Sequence, residues 1–164
     1  MLLTMLKTIE NFDKLRTEVL DIISLVGKEH GQIICQTTKV GDSDWFTGTE
    51  RNSRLGTQDE SQYKHLNPAL NGTEISKLIK EYGAVRTRIM TLRPRSCYRV
   101  HADLTQRIHI PIVTTDNAWM VWPHNNHVAH LTIGNSYLTD TTKPHTFFNG
   151  STEDRIHLVM CVAR

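Results

Sequence analysis

From Gly83 onward the chain breaks into eight short stretches that alternate apolar and polar residues: 84–92, 98–103, 106–113, 118–122, 128–132, 136–138, 146–148 and 155–162. Successive side chains of a strand point to opposite faces, so a two-residue alternation marks strands with one buried side. Turn formers separate them at Arg93-Pro94-Arg95-Ser96, Thr115-Asp116-Asn117, Gly134-Asn135 and Asn149-Gly150. Asn149-Gly150, flanked by two apolar-alternating runs, reads as a hairpin turn that sets His145 roughly opposite Arg155. Eight short strands after a helical lead-in predict a mainly β fold, a cupin-like double-stranded β-helix (jelly roll), with helices against one face.

The lead-in has a different texture. Phe12, Leu15, Val19, Ile22, Ile23 and Val26 recur at helical spacing before Gly27, and a short strand over 32–37 follows. Thr73 can cap a second helix that buries Ile75, Leu78, Ile79 and Tyr82 and ends at Gly83. Between them, 41–68 is a polar stretch that holds Trp45, Phe46 and Tyr63. A long loop with aromatic rings is either a lid over a site or a loop anchored to the core by those rings. At 164 residues the chain is expected to be one domain, 1–164, with a helical lead-in and long loop over 1–82 and the jelly-roll core over 83–164.

Composition excludes several classes of function. Charged residues make up 22% and the net charge is +2, with basic residues scattered, so no footprint for nucleic acid is expected. No apolar run reaches the roughly 18 residues of a membrane span. The opening segment is broken by Lys7 and lacks a small-residue cleavage site. Three isolated cysteines (Cys35, Cys97, Cys161) suit a reducing compartment, and the expected location is cytoplasmic. Nucleophilic catalysis finds no G-x-S-x-G and no cysteine beside a basic partner.

The chemistry-bearing residues cluster in two places. In Y-R-V-H-A-D-L-T-Q-R-I-H-I-P-I-V, His101 and Asp103 stand two apart, as do Arg107 and His109. Residues i and i+2 of a strand share a face, so His101 and Asp103 can converge on one metal ion. In K-P-H-T-F-F-N-G-S-T-E-D-R-I-H-L-V-M, His145 precedes Arg155 by ten positions. Two histidines and a carboxylate make the facial triad of non-haem iron, which leaves coordination sites open. Arg155 lies among apolar residues and needs an anion; Glu153 and Asp154 are the carboxylates nearby, and adjacent strand residues face opposite ways, which disfavours Asp154.

Taken together, H-A-D-x-x-x-R-I-H-I-P-I and H-T-F-F-N-G-S-x-x-D-R-I-H-L-V resemble the aspartyl/asparaginyl beta-hydroxylase family, relatives of the bacterial proline hydroxylases among iron(II)/2-oxoglutarate dioxygenases. The likeness runs from about 83 to 162. It implies a hydroxylase that takes a small-molecule or peptide substrate, 2-oxoglutarate and O2, and releases succinate and CO2. It implies His101, Asp103 and His145 as catalytic metal ligands and Arg155 as the site of the distal 2-oxoglutarate carboxylate. Arg107 and His109 would meet the cosubstrate near its metal-chelating end. The serine such relatives carry upstream has no match in R-I-M-T-L. The animal members lack a carboxylate at the position of Asp103, so this chain resembles the full-triad relatives more, which loosens the link to their peptide substrates. Two other readings share the barrel: a cupin-like metal enzyme that does not use 2-oxoglutarate, and a non-catalytic ligand-binding jelly roll.

Overall fold

The computed structural model describes residues 1–49 and 59–162. In chain order the elements are β1 (Leu3–Thr8), α1 (Phe12–Val26), β2 (Gln32–Ile34), β3 (Gln36–Thr37), β4 (His65–Leu66), α2 (Glu74–Tyr82) and β5 (Ala84–Leu92). There follow β6 (Ser96–Cys97), β7 (Arg107–Val113), β8 (Ala118–Trp122), β9 (His127–Ala129), β10 (Asn135–Thr139), β11 (Thr146–Asn149) and β12 (Arg155–Val162). A large sheet has the order β1-β10-β7-β12-β5-β2 and a small one β6-β11-β8-β9, with β3 and β4 paired separately. Both are antiparallel throughout, so the expected jelly roll is the fold.

Alternation along the large sheet sorts two environments. Ile108, Ile110 and Ile112 of β7, with Ile156, Leu158 and Met160 of β12, share one core with Leu15, Val19 and Ile23 of α1 and Ile75 and Ile79 of α2. The intervening residues, Arg107, His109, Arg155 and His157, therefore turn to the other face and are nonetheless buried. A second apolar cluster of Leu92, Met120, Trp122, Leu131, Tyr137 and Phe147 joins the two sheets on that side. The helices arise as the spacing predicts. The Thr73 hydroxyl accepts the Ser76 N–H at 3.1 Å, and Gly83 ends α2 in the left-handed conformation at φ 57°.

Three local readings change. β1 is a strand at the edge of the large sheet, paired with β10 through Leu3↔Thr139 to Thr8↔Asn135, so the β framework also draws on residues before 83. Residues 98–103 do not form a continuous strand. Beyond β6 an isolated bridge joins His101 to His145, and the Arg99 carbonyl turns to the imidazole of His101, 2.7 Å away. Finally, Asn149-Gly150 is not a hairpin. β11 belongs to the small sheet and β12 to the large one, so the turn carries the chain across the barrel.

Asn149 builds that crossing. Its amide nitrogen donates to the carbonyls of Leu92 (3.1 Å), Arg93 (3.3 Å) and Glu153 (2.7 Å), while its oxygen accepts from the N–H (3.1 Å) and hydroxyl (2.7 Å) of Ser151. Asn149→Ala strands several of these groups without partners and is expected to cost about 2–4 kcal/mol. Urea denaturation checks this as a lowered midpoint at unchanged slope. A loss under about 0.5 kcal/mol, the scale of ordinary surface changes, would show that the corner stands without Asn149.

Candidate metal centre

The bridge between His101 and His145 assembles the site. Each backbone N–H donates to the other residue's carbonyl, at 3.1 and 2.8 Å, and the Asp103 N–H donates to the Thr141 carbonyl at 2.8 Å. These bonds bring residues more than forty positions apart to one point. The ligating atoms of His101, Asp103 and His145 all lie within 4.8 Å of one another. Nε2 of His101 is 3.9 Å from one Asp103 oxygen and Nε2 of His145 is 3.8 Å from the other. Such gaps are too long for hydrogen bonds but suit an ion that bonds each atom at about 2 Å.

Both imidazoles are pre-oriented for that task. Nδ1 of His101 lies 2.7 Å from the Arg99 carbonyl and Nδ1 of His145 lies 2.9 Å from the Lys143 carbonyl. A carbonyl only accepts, so Nδ1 carries the proton and Nε2 presents its lone pair. Burial holds the His145 pKa below its ordinary value, which favours the neutral ring a metal needs. Two imidazoles and one carboxylate on one side leave the remaining coordination positions free, the donor set of non-haem iron oxygenases. The residues fit iron(II).

Behind the triad lies a buried ionic cluster. Arg107 donates to both oxygens of Glu60 (3.1 and 2.7 Å) and stands 3.4 Å from Asp103. Arg86 reaches the same carboxylate at 2.8 Å and the Gly48 carbonyl at 2.9 Å. Arg86 sits in a β-bulge between the pairs Val85↔Cys161 and Arg88↔Val159, with φ 47°, unusual for a residue with a side chain, and its N–H donates to the Tyr63 carbonyl. The bulge aims its side chain at the loop that carries Glu60. Burial pushes the Glu60 carboxyl up, but Arg107, Thr105 and Arg86 outweigh it and hold it below its ordinary value. Tyr63 is buried and Trp45 packs on the helical core, so both rings anchor this loop; its residues 50–58 lie outside the described residues.

Arg155 is buried at the start of β12, only 2% exposed. Its guanidinium lies 4.6 Å from the Phe147 ring centre, and Nη2 donates to the Tyr98 hydroxyl at 3.4 Å. Nε and Nη1 have no partner, and Asp154 pairs instead with Arg93 at 3.1 Å. Beside it, His109 and His157 face each other with Nδ1 atoms 3.4 Å apart, and His157 Nε2 is also unpartnered. Burial, then the charge of Arg155, keeps both rings neutral. A planar buried fork with free donors fits a carboxylate, as the distal end of 2-oxoglutarate presents.

The structure therefore brings His101, Asp103, His145, Arg107, His109 and Arg155 to one side of the large sheet, but both terminal nitrogens of Arg107 are committed to Glu60. Two residues escaped sequence reasoning. His157 was available from alternation, two places after Arg155. Glu60 had no local signal, because its partners lie on β5 and β7.

A jelly roll with an open two-histidine, one-carboxylate centre and a buried arginine that meets no carboxylate among the described residues is the scaffold of a mononuclear iron oxygenase. The family model for aspartyl/asparaginyl beta-hydroxylases matches residues 10–164, and the chain belongs to that family. It is an iron(II)- and 2-oxoglutarate-dependent dioxygenase, a hydroxylase. Solved structures share the fold at low identity. One is the collagen prolyl hydroxylase of Paramecium Bursaria Chlorella virus-1 in its 2-oxoglutarate complex (10% identity, TM-score 0.51, covering 99% of this chain and 97% of that one). Another is a Pseudomonas putida prolyl-4-hydroxylase (12%, TM-score 0.52, 99% and 92%). A third is NgTET1 in complex with 5mC DNA (15%, TM-score 0.53, 97% and 71%). No curated protein matches the chain by sequence.

The Glu60 cluster yields a stability test. Removing one member of a buried ion pair costs about 3–5 kcal/mol, so Glu60→Gln should lower stability at pH 7 by an amount near that range. A depressed carboxyl pKa contributes stability that is full above the unfolded value of about 4.3 and lost as pH falls through the folded value. The gap between wild type and Glu60→Gln should therefore narrow below pH 4.3, as measured by denaturant titration at each pH. An equal gap at pH 7 and pH 3, or none at pH 7, would contradict the clamp.

Proposed function

We propose that His101 and His145, through Nε2, and Asp103, through its carboxylate, hold the iron, and that Arg155 holds the distal carboxylate of 2-oxoglutarate. The observation that carries this reading is Arg155 itself: a guanidinium buried between the sheets with two free donor atoms and no carboxylate among the described residues. His109 and His157 stand next to each other and near Arg155 and, as neutral rings, can donate or accept without repelling the metal. Arg107 steadies Asp103 and is itself fixed by Glu60, so its contact with the cosubstrate is left to Nε, which has no partner.

When bound, iron and 2-oxoglutarate would supply, with O2 as oxidant, the chemistry that places one oxygen atom in an unactivated C–H bond and the other in succinate as CO2 leaves. The chain's part is to present Nε2 of both imidazoles, to hold Asp103 beside Arg107, to fix the cosubstrate through the Arg155 fork and to exclude water with Phe147, Tyr98 and Met120. The substrate in this reading is an amino acid or a peptide side chain. The likeness to DNA-bound NgTET1 is one of fold, and the scattered basic residues favour a substrate other than nucleic acid. A cytoplasmic location agrees with three unpaired cysteines and with the absence, among the described residues, of any helix long and apolar enough to cross a membrane.

Arg155→Ala tests the reading. Truncating one partner of a desolvated charge pair costs about 2–5 kcal/mol, so apparent 2-oxoglutarate affinity should fall about thirty- to several-thousand-fold. Iron affinity should hold, and Arg155→Lys should recover only part of the loss because a point charge replaces a fork. His145→Ala should instead abolish iron binding at micromolar metal. Unchanged 2-oxoglutarate affinity in Arg155→Ala would remove the assignment.

A further inference from the structure

Glu60 is placed by its own short segment. The Asp59 side chain accepts the Ser61 N–H at 2.9 Å and opens a 3-10 turn over Glu60–Gln62, and the Tyr63 N–H closes it on the Glu60 carbonyl at 3.2 Å. The turn delivers the Glu60 side chain to the barrel interior, only 7% exposed. Four donors meet its two oxygens there. Oε1 accepts from Arg86 Nη1 at 2.8 Å and from Arg107 Nη2 at 2.7 Å. Oε2 accepts from the Thr105 hydroxyl at 2.8 Å and from Arg107 Nη1 at 3.1 Å. The two parallel bonds to Arg107 make a bidentate pair, which is directional as well as strong.

Arg107 has a second carboxylate within reach, and the distances decide which one holds it. Its Nη2 stands 3.4 Å from Asp103 Oδ1, against 2.7 Å from Glu60 Oε1. A charge-assisted bond between such groups spans about 2.7–2.9 Å, so Arg107 faces Asp103 without closing on it. The oxygen concerned is the critical one. Oδ1 also faces Nε2 of His101, at 3.9 Å, across the gap a metal would fill. An Arg107 that closed on Asp103 would take the oxygen the ion needs. Charge acts in the same direction. Without Glu60, Arg107 would stand beside the triad as an uncompensated cation, and a buried cation opposes a divalent ion strongly because the interior screens little. With Glu60 in place the Arg107–Glu60 pair is neutral, and Asp103 keeps its charge for the metal.

We propose that Glu60 is a positioning residue of the metal centre: it diverts Arg107 from Asp103 and so leaves that carboxylate free to bind the ion. This rests on the reading of His101, Asp103 and His145 as the ligands and extends it to a residue of the long polar loop. At its present distance Arg107 steadies Asp103; any closer, it competes with the metal. Thr105 supports the diversion by holding the second Glu60 oxygen, two places before Arg107 on the same stretch of chain.

The test is calorimetric titration of the metal-free full chain with manganese(II), a redox-stable stand-in for iron(II), with the visible spectrum of the cobalt(II) complex as a second readout. Losing a partner behind a metal ligand typically costs about ten- to a hundredfold in affinity, and Glu60→Gln should weaken manganese by about that much. The decisive comparison adds Arg107→Met. With the competing cation gone, Glu60→Gln/Arg107→Met should bind manganese about tenfold more tightly than Glu60→Gln alone. Its cobalt spectrum, altered in the single variant, should return toward that of wild type. Within the Arg107→Met background, Glu60→Gln should change manganese affinity by less than about threefold. A residue that only supports the fold gives the opposite result, a double variant no tighter than the single one. If Glu60→Gln does not fold, Thr105→Val takes its place: it removes one hydrogen bond to Glu60 and should weaken manganese about two- to tenfold, again restored by Arg107→Met. The proposal is overturned if the Glu60 variant, or Thr105→Val in its place, binds manganese as wild type does, or if Arg107→Met fails to restore the affinity. Failure of the ligand reading shows separately, as manganese binding that survives His145→Ala.

Discussion

A guanidinium buried between two β-sheets must find negative charge, and the interior of this jelly roll is arranged around that requirement. Alternation along β5, β7 and β12 sends isoleucine, leucine and methionine to the helices and arginine and histidine inward. An apolar interior would have packed as firmly at less cost. What the fold gains is a cleft with fixed positive charge in which two internal carboxylates, Glu60 and Asp103, are already committed.

The same economy explains how a metal centre forms from an irregular segment. The stretch from Tyr98 to Gln106 contributes almost nothing to either ladder, yet the single bridge from His101 to His145 ties it to the start of β11. The Asn149 corner then turns the chain from the small sheet to the large one and delivers Arg155 to the interior. His145 and Arg155 thus sit on either side of one corner, and the rigidity of that corner fixes their separation. Glu60 adds a third tie. It clamps Arg107 behind Asp103 and docks the long loop onto the site through Arg86.

Much of this was legible in the residues. Both helices and the strands β5, β8 and β12 follow the periodicity of their side chains, since each packs a continuous apolar face. The triad was legible because H-x-D and the distant His145 are unusual together. Other features depend on contacts that no local pattern encodes. β1 reads as an apolar opening segment until β10 supplies its partner. Asn149-Gly150 carries hairpin chemistry, but five hydrogen bonds from the Asn149 side chain outweigh it, and Gly150 does not take the positive φ such a turn needs. Glu60 lies in a weakly patterned loop and acquires meaning only from two arginines far along the chain.

The central claim is that one metal and one 2-oxoglutarate share a single site whose charge is provided by the fold. Anaerobic calorimetric titration of the metal-free chain tests it most directly, with iron(II) added first and 2-oxoglutarate second, and the order then reversed. One iron per chain is expected, followed by one 2-oxoglutarate that binds far more tightly once iron is present. By linkage, 2-oxoglutarate should tighten iron by the same factor. Two-oxoglutarate binding that is indifferent to iron, or a stoichiometry other than one of each, would contradict a shared site.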